Sequence, residues 1–286
     1  MSTFEQAPVE LTSSDGCRIA AWHNGNPAGR AVVLLHGFSL DHTVWDRVRS
    51  DPGLSERCHL VAPDLRGHGR SGRPADIHGY TSGKLWADDL KTIVDSLALD
   101  RPILVGWSYS GRAVNDYLRH HGSINVAGLV FVAAATLADL SAIGPAHRCL
   151  AELCSPEPEI GQAASSTFLR EVLRQVPGSE TYEKFAAALA RTTPQQRTWL
   201  RSRALDYDGM LAALDLPVLV CHGAEDSVVL PVLAQKLGAV MKQARISIYP
   251  TCGHAPFIED PRRFCEELLQ FVVQTDAERC AASITS

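Results

Sequence analysis

Apolar residues gather in short, nearly unbroken runs at Ala31–Leu35, His59–Ala62, Ile103–Val105, Leu129–Val132, Val218–Val220 and Ile246–Tyr249. Runs of this length, without polar alternation, predict strands covered on both faces. Between several of them the period changes. Trp86, Leu90, Ile93, Val94 and Leu97 fall on one helical face, and so do Ala113, Val114, Tyr117 and Leu118. Strand alternating with helix predicts an α/β fold with a mostly parallel central sheet and helices on both faces. Val9–His23 differs. It alternates around Asp15-Gly16 and predicts an antiparallel hairpin at the sheet edge.

The rhythm breaks between Thr136 and Asp208. This stretch has no strand pattern. Its helical patches lie at Leu137–Leu153, Ala163–Gln175, Thr181–Arg191 and Pro194–Ala204, punctuated by Pro156, Pro158, Pro177 and Pro194. An insertion after one strand and before the next sits over the binding crevice of such a sheet. The expected organisation is a core of residues 1–135 and 209–286 with a helical cap, or lid, over 136–208. The small, polar tail Asp276–Ser286 is expected to fray.

Composition narrows the function classes. The chain has 286 residues, 45% hydrophobic and 21% charged, which suits a globular protein with a full core. A net charge of −5 offers no basic field for nucleic acid or an anionic membrane. The densest apolar run, Val126–Ala135, is far short of the roughly 20 residues that span a bilayer. Met1–Glu10 has neither Lys nor Arg and no apolar core, so no secretory signal is expected there. The eight cysteines are scattered without a Cys-x-x-Cys pair and read as free thiols in a reducing cytoplasm.

The candidate chemistry starts where the strand Ile103–Val105 runs into Gly106-Trp107-Ser108-Tyr109-Ser110-Gly111 and then a helix. A sharp strand–turn–helix lifts one side chain above the sheet and needs small residues two before and two after it. Gly106 and Ser110 meet that need around Ser108. Here the chain resembles the α/β-hydrolase superfamily. It departs from the family pattern G-x-S-x-G in having Ser110 at the second glycine, as in a subgroup of hydrolase-fold receptors.

The resemblance extends to the partners of the serine. A triad on this fold runs in the order Ser, acid, His. Val218–Val220 leads into Cys221-His222-Gly223-Ala224-Glu225-Asp226, and Asp226 matches the acid position, with Glu225 as its rival. Ile246–Tyr249 leads into Pro250-Thr251-Cys252-Gly253-His254, and His254 matches the catalytic histidine, followed by Glu259-Asp260-Pro261. The other acid placement known in such folds, after Leu129–Val132, offers no carboxylate before Asp139. The resemblance therefore implies Ser108 as nucleophile, His254 as base and Asp226 as its orienting acid. An oxyanion hole is implied at the backbone N–H groups of Phe38, in His36-Gly37-Phe38, and Tyr109. His36 is expected to brace that loop. Trp107 and Phe38 are candidates for the pocket wall.

Two other signals are set aside. Gly67-His68-Gly69-Arg70-Ser71-Gly72 matches a dinucleotide fingerprint, but Arg73-Pro74 follows where a helix should open. His120-His121 and Cys221-His222 lack companion ligands at zinc spacing. The cap arginines Arg170, Arg174, Arg191, Arg197, Arg201 and Arg203 read as a solvated face. The expectation is a cofactor-free serine hydrolase acting on a small or medium carboxylic ester, lactone or thioester through an acyl-enzyme, with no metal, no nucleic acid and no membrane insertion. Carbon–carbon hydrolysis, perhydrolysis and acyl transfer use the same triad. A ligand receptor with slow or no turnover is the alternative from another class.

Overall fold

The computed structural model describes residues 7–174 and 178–284. Eight strands form one sheet: β1 (Val9–Thr12), β2 (Arg18–Gly25), β3 (Arg30–Leu35), β4 (Cys58–Pro63), β5 (Ile103–Trp107), β6 (Gly128–Val132), β7 (Val218–Gly223) and β8 (Ala244–Tyr249). Their spatial order is β1-β2-β4-β3-β5-β6-β7-β8. The β1–β2 and β2–β4 pairs are antiparallel, and every pair from β4 onward is parallel. Each apolar run is thus a parallel strand, and the first segment is the edge hairpin. Gly16 turns that hairpin at φ +82°.

The chain steps from β3 to β4 on one side, then crosses to β5 on the other. The C-terminal ends of β3 and β5 therefore form the switch point of the sheet, where open α/β sheets hold ligands. β3, β5, β6 and β7 are buried along their whole length. Trp45, Phe257 and Phe264 are buried together, with Trp45 stacked 4.1 Å from Phe257. Each such ring stabilises the fold by about 2–3 kcal/mol through removal from water.

The last helix runs from Pro261 to Ile284, so the tail expected to fray from Asp276 is helical as far as it is described. Two causes act together. Asp276 pairs with Arg30, a buried residue at the start of β3. The residues after it, such as Ala277, Glu278 and Arg279, favour helix. Ser286 and Thr285 lie outside the described residues, as do residues 1–6. Among the described residues no helix is long and apolar enough to cross a membrane.

Between β6 and β7 the described residues form helices at Arg148–Glu152, Pro158–Val172, Gly178–Ala190, Pro194–Arg201 and Asp208–Ala212. Among the described residues of this stretch Ile143 alone has strand geometry, in an isolated bridge to Val229 beyond β7. The expected helix over Leu137–Leu153 is mostly absent. Gly144 and Pro145 break it, and Asp139 caps a short turn instead, accepting from Ser141 N–H at 2.9 Å. The helix starting at Pro158 begins earlier than its apolar pattern, with proline in the first turn. Gln175, the expected end of that helix, lies outside the described residues. Thr193 and Gln196 form a reciprocal capping box that starts the helix Pro194–Arg201.

This last helix and its flanks are bonded into the core. Gln196 Nε2 donates to Tyr80 Oη at 2.8 Å, and Tyr109 Oη donates to the Leu200 carbonyl at 2.8 Å. Arg197 is 6% exposed and donates to Ser39 Oγ and to the carbonyls of Leu153 and Leu189. Arg203 pairs with Asp116, and Arg191 with Asp41. The arginines expected to form a solvated face therefore do not form one. Arg197 and Arg203 are buried because their donors satisfy core acceptors.

Candidate active site

β5 delivers Ser108 in the left-handed region, at φ +54°. Such backbone in a non-glycine residue costs about 1–3 kcal/mol and must be held by its surroundings. Ala135 N–H donates to the Ser108 carbonyl at 3.0 Å, and a short turn passes into the helix Gly111–His121. A Cβ at Gly106 would lie 3.0 Å from Val114 Cγ2 and 3.3 Å from Gly111 N, so the bend crowds any side chain there. Ser110 fits where a glycine is usual because its hydroxyl has a use. Its Oγ is 2.9 Å from both the Leu35 and the Trp107 carbonyl, at the ends of β3 and β5.

Three sequence-predicted residues converge. Ser108 Oγ lies 2.8 Å from His254 Nε2, and His254 Nδ1 lies 2.8 Å from Asp226 Oδ2. With the proton on Nδ1 facing the carboxylate, Nε2 is free to accept from the serine hydroxyl. Asp226 Oδ1 accepts from Val228 and Val229 N–H at 2.8 and 3.0 Å. Burial alone would raise the Asp226 pKa, but His254 and His222 more than offset it and hold the carboxylate well below its usual range. Glu225 is turned away and pairs with Arg174 at 3.0 Å. Asp139, the other acid considered, pairs with Lys236.

His222 was weighed only as a metal ligand in the sequence, yet it joins this group. It is 1% exposed, with Nε2 3.1 Å from Asp226 Oδ2 and 2.8 Å from the Val229 carbonyl. Its position four residues before the acid, at the end of an apolar strand, is the signal that could have found it. Gly223 lets the two late loops meet. A Cβ there would fall 1.9 Å from the Gly253 carbonyl. Glu259 then accepts from Gly253 N–H at 3.0 Å and Ala255 N–H at 3.2 Å, gripping the loop on both sides of His254.

The Phe38 loop backs onto the serine. A Cβ at Gly37 would stand 3.4 Å from Ser108 Cβ and 3.1 Å from Trp107 Cε3. His36 and His68 brace this loop from inside. His36 Nε2 accepts from Leu65 N–H at 3.0 Å, and His68 Nε2 accepts from Ser39 N–H at 3.2 Å. Their Nδ1 atoms each face a carbonyl at 2.9 Å, of Gly37 and Arg66. Both rings are therefore neutral, with the proton on Nδ1.

A cavity of about 110 Å³ opens beside Ser108, walled by Phe38, Tyr109, Leu150 and Val228 among others. Phe38, one of the two residues expected at the pocket wall, lines this cavity. Trp107, the other, does not. It is 1% exposed, absent from that lining, and its Nε1 donates to the His254 carbonyl at 2.8 Å. Its ring is needed beneath the histidine loop, packed at 5.0 Å on Phe257. The glycines of Gly67–Gly72 pack against protein groups. A Cβ at Gly69 would fall 2.0 Å from Asp64 Oδ2, and one at Gly67 2.4 Å from the Tyr80 ring. Asp41, His42 and Asp64 group within 4.8 Å. Asp41 already pairs with Arg191, and His42 Nδ1 faces Asp64 Oδ1 at 2.8 Å.

The chain is similar to known proteins. A model described as "Alpha/beta hydrolase family" matches residues 32–267. The esterase RhEst1 from Rhodococcus sp. ECU1013 superposes with a TM-score of 0.88 at 33% identity, over 94% of this chain and 99% of that one. A putative aryl esterase from Burkholderia cenocepacia superposes with a TM-score of 0.89 at 30% identity, over 94% and 99%. The pimeloyl-[acyl-carrier protein] methyl ester esterase of Edwardsiella ictaluri is 29% identical over 259 residues, covering 87% of this chain and 96% of that protein.

Proposed function

Since the chain belongs to the alpha/beta hydrolase family, we propose that it is a serine hydrolase that cleaves a small or medium carboxylic ester, lactone or thioester through an acyl-enzyme on Ser108. The carrying observation is the continuous hydrogen-bonded line from Ser108 Oγ through His254 to Asp226, 2.8 Å at each step. The esterase relatives support the same reading.

His254 Nε2 takes the Ser108 proton as Oγ bonds to the acyl carbon. The oxygen of the tetrahedral intermediate is met by the N–H groups of Phe38 and Tyr109. The bond to the leaving group then breaks, and His254 returns the proton to it. Water enters, His254 takes one of its protons, and hydroxide addition followed by release of Ser108 frees the acid. Asp226 holds the His254 tautomer and stabilises the imidazolium. His222 and the Val228 and Val229 N–H groups hold Asp226. Residues 136–208 serve as a cap over a core of 1–135 and 209–286.

Intact-protein mass after exposure to a small fluorophosphonate tests the assignment. One adduct is expected on wild type and none on Ser108→Ala. Ser108→Ala and His254→Ala should each lower turnover of an activated ester on the order of 10⁶-fold, by analogy with another serine triad. Asp226→Asn should cost roughly 10⁴-fold. If Asp226→Asn kept full rate while Glu225→Gln lost it, the acid assignment would be wrong. A folded wild type that takes no adduct would favour a receptor that binds without cleaving.

A further inference from the structure

The cavity beside Ser108 carries more positive charge than its surroundings neutralise. Arg112 stands one helical turn beyond Ser108 and lines both this cavity and a contiguous larger one of about 280 Å³. The two share walls at Ala135, His147, Val228 and Val229. Arg112 Nη1 donates to the carbonyls of Arg203 at 2.5 Å and Ala204 at 3.1 Å, while its Nε is buried without a partner. Among the described residues no carboxylate forms an ion pair with it. Arg203, 6% exposed, lines the larger chamber. Its Nη2 engages Asp116, but its Nη1 is buried and unpartnered.

The acids nearby are already engaged. Asp116 answers Arg203 and also accepts from Tyr207 Oη at 2.7 Å. Asp139, on the wall of the larger chamber, is held by Lys236 and by Ser141. Burial, and then the neighbouring Arg203 charge, push the Arg112 pKa down, although a guanidinium stays protonated near neutral pH. Arg112 is half-buried with its guanidinium over the Tyr109 ring, and a carboxylate seated against it would gain charge-assisted hydrogen bonds and supply the counter-charge it lacks. Leu137, Leu205 and Leu233 make the rest of the larger chamber apolar. A ligand there needs an aliphatic spacer and an anionic end.

We infer that the substrate is an ester that itself carries a carboxylate, joined by a short aliphatic spacer and held by Arg112 and Arg203 while Ser108 attacks the ester carbon. This rests on the serine-hydrolase reading above. The carboxylate could sit on the acyl side, as in a half-ester of a dicarboxylic acid, or on the alcohol side, as in an ester of a hydroxy acid.

Two matched pairs separate these sources. p-Nitrophenyl hydrogen glutarate is compared with p-nitrophenyl valerate, and 4-acetoxybutyrate with pentyl acetate. In one pair kcat/KM should favour the anionic member at least about tenfold. That ratio should fall by about 30-fold or more in Arg112→Gln, and Arg112→Lys should retain part of it. The ratio is taken within each variant, so a general loss of activity divides out. If Arg112→Gln fails to fold, wild type still decides. Glutarate should inhibit valerate-ester hydrolysis more strongly than pentanamide does. No anionic preference in either pair, an unmoved ratio in a folded Arg112→Gln, or equal inhibition by glutarate and pentanamide would each overturn the inference. A wild type that cleaves only the neutral esters overturns this inference and leaves the hydrolase. One that cleaves none and takes no fluorophosphonate overturns both.

Discussion

At the residue scale, the two loop-bracing histidines set an acid limit. His36 and His68 titrate at about 4 and about 3 in the fold, against 6.5 for an ordinary histidine, chiefly because burial penalises the charged ring. A proton on either Nε2 would also face the backbone N–H that it now accepts from. The unfolded chain binds these protons first, so the stability from each ring is full above pH 6.5. It is lost as pH falls toward about 4 for His36 and about 3 for His68. Urea midpoints at pH 7 and 5 should drop with acid in wild type and drop less in His36→Asn, whose pH 7 midpoint is already lower. An equal drop in both would remove His36 as the cause. Ser108, Asp226 and His254 were legible because each follows an apolar strand in a fixed order. His222 and Trp107 were not, because their roles depend on which side of a loop the ring occupies. Spacing along the chain does not carry that.

At the element scale, the parallel strands were readable because burial on both faces demands unbroken apolar runs. The insertion was less so. Its helices compete with Gly144, Pro145 and polar caps, and its fixing comes from buried arginines that look like surface residues in sequence. Arg197 is the clearest case. Replacing it by Ala would leave the Leu153 and Leu189 carbonyls without that donor and open a void, so a loss of about 3–5 kcal/mol is expected. Guanidinium unfolding curves would measure it. A loss below about 1 kcal/mol would mean that water replaces the side chain and the tie is weak.

At the scale of the whole molecule, Cys58, Cys149, Cys221, Cys252 and Cys265 are buried free thiols. Burial pushes Cys58, Cys149 and Cys252 up to about 11, and Cys221 and Cys265 up to about 12. The thiolate is the reactive form, so a disulfide reagent at pH 8 should leave these five unmodified until the chain unfolds. Peptide mapping after a native-state pulse would show it, and rapid labelling of Cys221 on β7 would mean that the sheet opens. The ties of the Pro194–Arg201 helix have a consequence for recombination between relatives. A chimera cut at Thr136 and Asp208 would sever Gln196 from Tyr80, Arg197 from Ser39, and Arg203 from Asp116, stranding a buried carboxylate in the recipient. Crossover points set inside the insertion, from Arg148 to Ala190, would exchange much of it while keeping each of those bonds native to its own scaffold.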